Sequence, residues 1–375
     1  MQNIMIMAIL AALNIAACTS AGTDRQLSVP VVVNDSVVAD TDTAGVGMEN
    51  RRDTFVVSLT GDIMMGTTFP EVRLPANGGK DLFRDVRPFL VNADIAVGNL
   101  EGTLCDVEDT SKKKTVHSYS FRTPPAYASL LRDAGYDFLS MANNHAFDFG
   151  IDGVMSTEKV LEGQGIKYAG LRGRTAMAVV ERDSIRFGFC AFGHNGYTFR
   201  TQELDGVKAI LDSLKECSDI IVVSFHGGAE GKACRRLPYG KETFLNEDRG
   251  SLRDFAHFCI DNGADIVYGH GPHVVRCMEV YKDRFIAYSL GNFCTPYGIN
   301  TTGISGYAPV VSIKVNRSGE FLSGQIHPFV QRYGIGPRRD TTGVVVKEIR
   351  TLTGLDIKGG KISISDNGVI EKDKK

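Results

Sequence analysis

Ala264-Asp265-Ile266-Val267-Tyr268-Gly269-His270-Gly271-Pro272-His273 is the stretch that decides how this chain folds. An apolar run with β-branched and aromatic residues ends in a loop whose glycines and proline forbid a regular helix. Such a run is a buried strand that delivers two imidazoles at its tip. Neutral imidazole is the commonest protein ligand for zinc, manganese or iron-type ions. Taken alone, the pair is better read as one histidine capping the loop and the other solvated. The other strand ends along the chain shift the balance.

From Thr54 onward, apolar strand-like runs alternate with amphipathic helical stretches. The pattern predicts strands over 55–59, 94–97, 138–141, 220–225 and 266–268, and helices over 82–91, 125–134, 154–162, 204–215 and 252–261. Hairpins are expected over 176–192, 274–288 and 310–329, the last turning at Asn316-Arg317-Ser318-Gly319. Beyond about 345 the chain is polar with weak strand character. The expectation is one α/β domain over 54–345, with mixed sheets, helices outside and hairpins at the edges, followed by a C-terminal extension over 346–375.

Ligands of open α/β sheets bind beyond the carboxyl ends of the strands. Those ends here are Gly61-Asp62, Gly98-Asn99-Leu100-Glu101-Gly102, Ala142-Asn143-Asn144-His145, His226-Gly227-Gly228, the His270/His273 loop and Ser289-Leu290-Gly291-Asn292. Each has an ordinary explanation by itself. Asp62 could sit in a turn, Asn143 and Asn144 in an Asx turn, His226 in the core, and Glu101 could pair with an arginine. Successive tips carrying Asp, Glu, Asn-His, His and His-x-x-His are not a pattern of solvated loops. Carboxylate and carboxamide oxygens mixed with imidazoles suit Mn, Fe or Zn better than Ca or Mg.

Composition narrows the function classes. The 375 residues are 43% hydrophobic and 23% charged with a formal net charge of −2 and no long Lys/Arg run, which gives no support for nucleic-acid binding. Lys112-Lys113-Lys114 reads as a solvated loop. Ile4 to Ala17 is an apolar run, short for a bilayer span, that ends in Ile15-Ala16-Ala17-Cys18. It is similar to a bacterial lipobox, implying a signal peptide over 1–17 and lipidation of Cys18. Residues 18–53, rich in Thr, Ser, Asp, Gly and Val, read as a tether to the folded domain. The remaining seven cysteines include no close Cys-x-x-Cys pair, so no disulfide framework is indicated.

Gly61-Asp62-Ile63-Met64, Gly98-Asn99-Leu100-Glu101-Gly102, Ala142-Asn143-Asn144-His145, Ser224-Phe225-His226-Gly227-Gly228, Gly269-His270-Gly271-Pro272-His273-Val274 and Tyr288-Ser289-Leu290-Gly291-Asn292-Phe293 together resemble the CapA family of capsule-synthesis proteins. That family is linked to poly-γ-glutamate capsule production and is similar to calcineurin-like metallophosphoesterases. The resemblance covers roughly residues 54–330. It implies a four-layer αββα fold, a two-sheet β-sandwich flanked by helices. It also implies a divalent centre of one or two ions (Mn, Fe or Zn) held by Asp62, Glu101, Asn144, His226, His270 and His273. His145 would then be a general acid or electrostatic stabiliser. Two positions depart from the metallophosphoesterase pattern. Asp62-Ile63-Met64 lacks the imidazole of an Asp-x-His start, and Gly98-Asn99-Leu100-Glu101 replaces Gly-Asp-x-x-Asp. Either Asn99 or Glu101 can approach the metal there, and Glu101 is preferred.

The expected activity is metal-assisted hydrolysis of an acidic polymer or cell-envelope substrate, at a γ-glutamyl amide or a phosphoester. Asn99, Asn143, Ser289 and Asn292 would orient substrate from the rim. Arg235 and Arg236 would hold an anionic group, or else form a solvated loop. The protein is expected at the bacterial envelope, tied to the membrane through Cys18 and without nucleic-acid partners. The competing expectation is a non-catalytic binding, export or anchoring component for an acidic capsule polymer.

Overall fold

Two sheets face each other across a shared apolar interior in the computed structural model, which describes residues 52–112, 119–359 and 361–373. The expected signal peptide, most of the expected tether and Cys18 lie outside the described residues.

The first sheet is built around the strand Thr54–Ile63. Its parallel neighbours Ile95–Leu100, Phe138–Ser140 and Lys167–Ala169 extend to one side. Antiparallel Val310–Asn316, then Phe321–His327, Val369–Lys372 and Ile362–Ile364, extend to the other. A short parallel strand, Asn292–Cys294, pairs with the carboxyl end of Thr54–Ile63. The second sheet runs Met278–Tyr281, Arg284–Ala287, Ile266–His270, Ile220–His226, Ile185–Phe192 and Met177–Arg182. Its four central strands are parallel.

The alternation of side chains explains the layers. Phe55, Val57 and Leu59 point inward and meet Phe187, Phe189, Val222 and Ile266 of the facing sheet. The opposite face of the first sheet is covered by the helices Ala128–Ala134 and Gly150–Gly163. The outer face of the second carries Leu204–Cys217 and Leu252–Asp261. In Leu204–Cys217 the buried residues Val207, Ile210, Leu211 and Leu214 fall at helical spacing, so the apolar stripe faces the sheet. Ile220–His226 is buried along its whole length, as a central parallel strand covered on both faces must be. The order helix, sheet, sheet, helix is the expected αββα architecture.

Three local expectations change. The helix read over 82–91 is α-helical only over Arg87–Val91, with Pro88 near its start. Proline lacks the N–H of a helix interior and its ring clashes with the preceding turn, so Pro88 is confined to the first turn and the helix cannot extend back to 82. The hairpin expected over 274–288 is shorter, Met278–Tyr281 with Arg284–Ala287, because 271–277 serves the site. The largest difference lies beyond 345. A helix spans Val344–Asp356, with Val345, Val346 and Ile349 in the inter-sheet core. Two more strands then add to the first sheet. The 345 boundary falls inside that helix. Its valines and threonines have low helix propensity, and packing against the edge strand Met278–Tyr281 is what stabilises it. The seven cysteines among the described residues are free thiols. No helix among them is long and apolar enough to cross a membrane.

Candidate metal centre

Register brings the candidate residues to one edge. Within the first sheet Asp62 pairs with Asn99 on one side and Asn292 on the other, and Asn99 pairs with Ser140. Within the second, His270 pairs with His226. Parallel strands end on the same side, so side chains far apart in sequence converge at the carboxyl edge of both sheets. Close backbone approach is required there. A Cβ on Gly271, where φ is +112°, would stand 2.3 Å from the Gly227 carbonyl oxygen, so only glycine lets the two histidine loops touch.

Asp62 is the hub. Its Oδ1 lies 3.0 Å from His270 Nδ1 and its Oδ2 3.1 Å from His273 Nδ1. Asn99 Nδ2 donates to Asp62 Oδ1 at 2.9 Å and to Glu101 Oε2 at 2.5 Å. His226 Nε2 stands 3.3 Å from the Glu101 carboxylate, which joins the two sheets. Asp62, Asn99, Glu101, His226 and His270 have no solvent exposure. Both Asn99 and Glu101 therefore face the cluster, with the amide bridging the two carboxylates.

Electrostatics follow from this burial. Burial alone would raise the Asp62 pKa, but His270 and His273 outweigh it and hold the carboxyl well below its usual range. Glu101 is pushed up to about 7, by burial first and then by the Asp62 charge. Burial drives His226 down to about 3. His273 moves the other way, to about 10, because its bond to Asp62 overcomes burial.

The donor chemistry fits a divalent cation. His226 Nδ1, both ring nitrogens of His270 and Asn144 Oδ1 are buried polar atoms without a hydrogen-bond partner. The His270–Asp62 approach is close enough for charge attraction but is not aligned as a hydrogen bond. Unpaired buried polar atoms of this kind cost on the order of 1–3 kcal/mol each unless something binds them. Two fully buried carboxylates, one of them holding on to a proton near neutral pH, are the charge pattern a cation would relieve. Among the described residues, no three His, Cys, Asp or Glu side chains already stand in a coordination cage.

Asn143 and His145 form the adjoining wall. Asn143 Nδ2 donates to Asn99 Oδ1 at 2.9 Å and to the Leu100 carbonyl at 2.8 Å, while its Oδ1 accepts from the His145 backbone N–H at 3.0 Å. It is a brace for the Asn144-His145 turn. His145 Nδ1 lies 2.9 Å from Asp148 Oδ2, and its ring packs tilted on Phe121 with centroids 4.4 Å apart. Asp148, fully buried, also accepts from the Phe121 N–H at 2.7 Å and meets Lys112 Nζ at 2.5 Å.

The rim residues divide. Asn292 Oδ1 lies 3.0 Å from His273 Nδ1, and its Nδ2 donates to the carbonyls of His273 and Ser305. It holds His273, a non-glycine residue at φ +57°, in its turn. Ser289 Oγ donates to the Val274 carbonyl at 2.7 Å and accepts from Gly291 N–H, so its hydroxyl is committed to the loop. Arg235 pairs with Glu348 at 2.7 Å and Arg236 with Asp356 at 2.5 Å. Their half-exposed guanidiniums tie the loop after His226 to the last helix.

Three residues near the centre escaped the sequence reading. His194, on the tip Gly193-His194-Asn195 after the strand Ile185–Phe192, stacks 5.7 Å from the His226 ring and is pushed down to about 3 by burial and by that neighbour. The strand-tip rule that found His226 finds it too. Asp148 stands three residues after His145, one helical-type turn away. Lys112 carried no signal beyond its lysine run, because only tertiary structure brings it to Asp148.

Fold and centre together define a two-sheet αββα protein that gathers carboxylate, carboxamide and imidazole side chains at the carboxyl ends of both sheets. The chain belongs to the family described as bacterial capsule synthesis protein PGA_cap, which matches residues 56–297. It is 28% identical over 272 residues to the capsule biosynthesis protein CapA of Bacillus anthracis, covering 68% of this chain and 62% of that one. It is 27% identical over 285 residues to the PGA biosynthesis protein CapA of Bacillus subtilis (strain 168), covering 72% and 70%. The chain thus spans just under two thirds of the first relative's length. Among solved structures it is similar to a 5'-nucleotidase precursor from Thermus thermophilus, with a TM-score of 0.42, 14% identity, and coverage of 74% of this chain and 54% of that one.

Proposed function

We propose that this chain is a divalent-metal-dependent hydrolase that processes an acidic capsule polymer of the poly-γ-glutamate type, held at the bacterial envelope by a lipid on Cys18. The observation that carries this reading is the buried cluster of Asp62, Glu101, His226 and His270, in which His226 Nδ1 and both His270 ring nitrogens lack hydrogen bonds. A polymer-binding module has no use for unpaired imidazoles sealed between two sheets. The capsule link is supported by the family and by the printed names of the Bacillus relatives.

Asp62, Glu101, Asn144, His226, His270 and His273 would hold one or two ions of the Mn, Fe or Zn kind. A divalent ion there supplies Lewis-acid chemistry, polarising the scissile group and easing deprotonation of water. This chain's own residues do the rest. His145, with Nδ1 committed to Asp148, has Nε2 left to hold the proton that a leaving amine or alkoxide needs. Asp148 fixes the ring orientation, and Phe121 closes one of its faces. The Asn99 amide keeps the two carboxylates apart and oriented.

Metal analysis of the purified chain tests this first. The expected result is at least one transition metal per chain, lost or strongly weakened in His270→Ala and His273→Ala. Hydrolysis of γ-linked glutamate oligomers and generic phosphoesters should then drop by about 10²–10⁴ in His145→Ala with metal content retained. A protein that takes up neither Mn, Fe nor Zn, and whose thermal midpoint none of them moves, refutes the enzyme reading and leaves a polymer-binding role.

A further inference from the structure

The arginines first nominated to hold an anion are both paired with carboxylates of the last helix. A different guanidinium stands open at the end of the strand Phe329–Arg332. A cavity of about 460 Å³ lies between the loop 299–302 and the hairpin end Gln331–Tyr333. No Asp or Glu lines it. Arg332, exposed at the end of the strand Phe329–Arg332, has no carboxylate partner and no side-chain hydrogen bond among the described residues. The hydroxyls of Thr301 and Thr302 likewise have no partner among them. Asn300 accepts the Thr302 N–H on its Oδ1 at 2.9 Å, which leaves its NH₂ available as a donor. Tyr333 is 72% exposed, with its ring edge-on to Tyr297 at 5.1 Å. Lys232 stands beside Gly303 of the same loop and adds a second cation.

The loop lining this groove is tied to the centre by hydrogen bonds. Asn292, which holds His273, also donates to the carbonyls of Ser305 and Asn300, so the loop lining the groove hangs from the same side chain. The floor is firm, since Gln331 is buried and exchanges two 2.7 Å hydrogen bonds with Thr295. A groove with a free planar fork, hydroxyl and amide donors, an exposed ring and no acidic residue is matched to a carboxylate on a short aliphatic stem.

We propose that this groove is a subsite for a neighbouring repeat of an acidic polymer, in which Arg332 binds the side carboxylate and Asn300, Thr301 and Thr302 supply further donors. The assignment rests on the acidic-polymer reading above. It makes Arg332 a binding residue that reads the charge of a repeat next to the scissile one.

The test measures binding of γ-linked glutamate decamers to the full chain by calorimetry at moderate salt. Free glutamate serves as the monomer control. Wild type should bind the decamer more tightly than the monomer. Arg332→Glu should weaken the decamer by about tenfold or more, the scale of losing one charge-assisted hydrogen-bonded contact. Arg332→Lys should retain part of the affinity. Lys208→Glu, on an exposed helix face, changes net charge by the same amount and should leave binding within twofold. Metal content and thermal midpoint, read on each variant, separate lost binding from lost folding, with Arg332→Gln as the milder substitution. Wild-type decamer binding that Arg332→Glu and Arg332→Gln leave intact overturns the subsite alone. Absence of any wild-type preference for decamer over monomer overturns the subsite and the acidic-polymer reading together, while the metal assay above still decides the centre.

Discussion

Arg276 is the largest side chain without solvent exposure among the described residues, and its removal is the sharpest test of how the site loops are held. Its Nη1 and Nη2 meet the two Glu242 oxygens at 2.8 and 2.7 Å, and Nε donates to the Cys234 carbonyl at 2.9 Å. The pair clamps the long segment that follows His226 onto the segment that carries His273. In Arg276→Met the apolar volume is nearly conserved, but the Glu242 carboxylate loses its counter-ion. Breaking a buried pair by removing one partner costs about 3–5 kcal/mol. Glu242 keeps one donor, the Ala229 N–H at 3.0 Å, which favours the low end. The orphaned Cys234 carbonyl adds on the order of 1 kcal/mol. A loss of about 4 kcal/mol follows, or a fall in Tm of about 6 °C for a domain of roughly three hundred residues. Urea unfolding monitored by circular dichroism reads it directly. The double variant Glu242→Leu/Arg276→Met removes both charges and should recover most of the loss, because the penalty belongs to the stranded carboxylate. A single variant that loses less than about 1 kcal/mol, or a double variant as damaged as the sum of its parts, refutes this account of the clamp.

Gly271→Ala puts a Cβ 2.3 Å from the Gly227 carbonyl at a φ of +112°, so the two histidine loops must separate. The expected cost is about 1–3 kcal/mol of stability with metal affinity falling alongside it, whereas Gly173→Ala, with nothing within 4 Å, keeps full metal content. Burial, with Arg339 nearby, lowers His327 to about 4. The unfolded chain therefore binds the extra proton as pH drops below about 6.5, and stability declines from there to about 4. His327→Phe, which preserves the contact with Phe89, should flatten that slope by up to one proton; an unchanged slope in urea titrations across this window would show that His327 is not buried neutral.

Much of the centre was legible before folding because the αββα plan turns sequence order into position. Strands were recognisable from apolar runs, and parallel strands deliver their carboxyl ends to one edge, so Asp62, Glu101, Asn144, His145, His226, His270 and His273 could be gathered from strand tips alone. The same rule covers His194, whose strand Ile185–Phe192 is one arm of a hairpin and also a parallel neighbour of Ile220–His226. Residues whose role depends on a distant partner were not legible in this way. Nothing local separates Arg235 and Arg236, paired with Glu348 and Asp356, from Arg332, left open beside the loop 299–302. Lys112 sits in a lysine run and yet reaches the buried Asp148.

The amino-acid sequence by itself determined where most strands lie along the chain, the candidate ligand chemistry and the family resemblance, since period, turn residues and motif spacing are local properties. Only tertiary structure decided which charges are neutralised. It also decided that Val344–Asp356 is a core helix, and that Asp62 with two imidazoles and Glu101 with His226 form one buried cluster. The reason is physical. Backbone preference is set within a few residues, whereas burial and charge pairing are set by whatever the folded chain brings within about 4 Å.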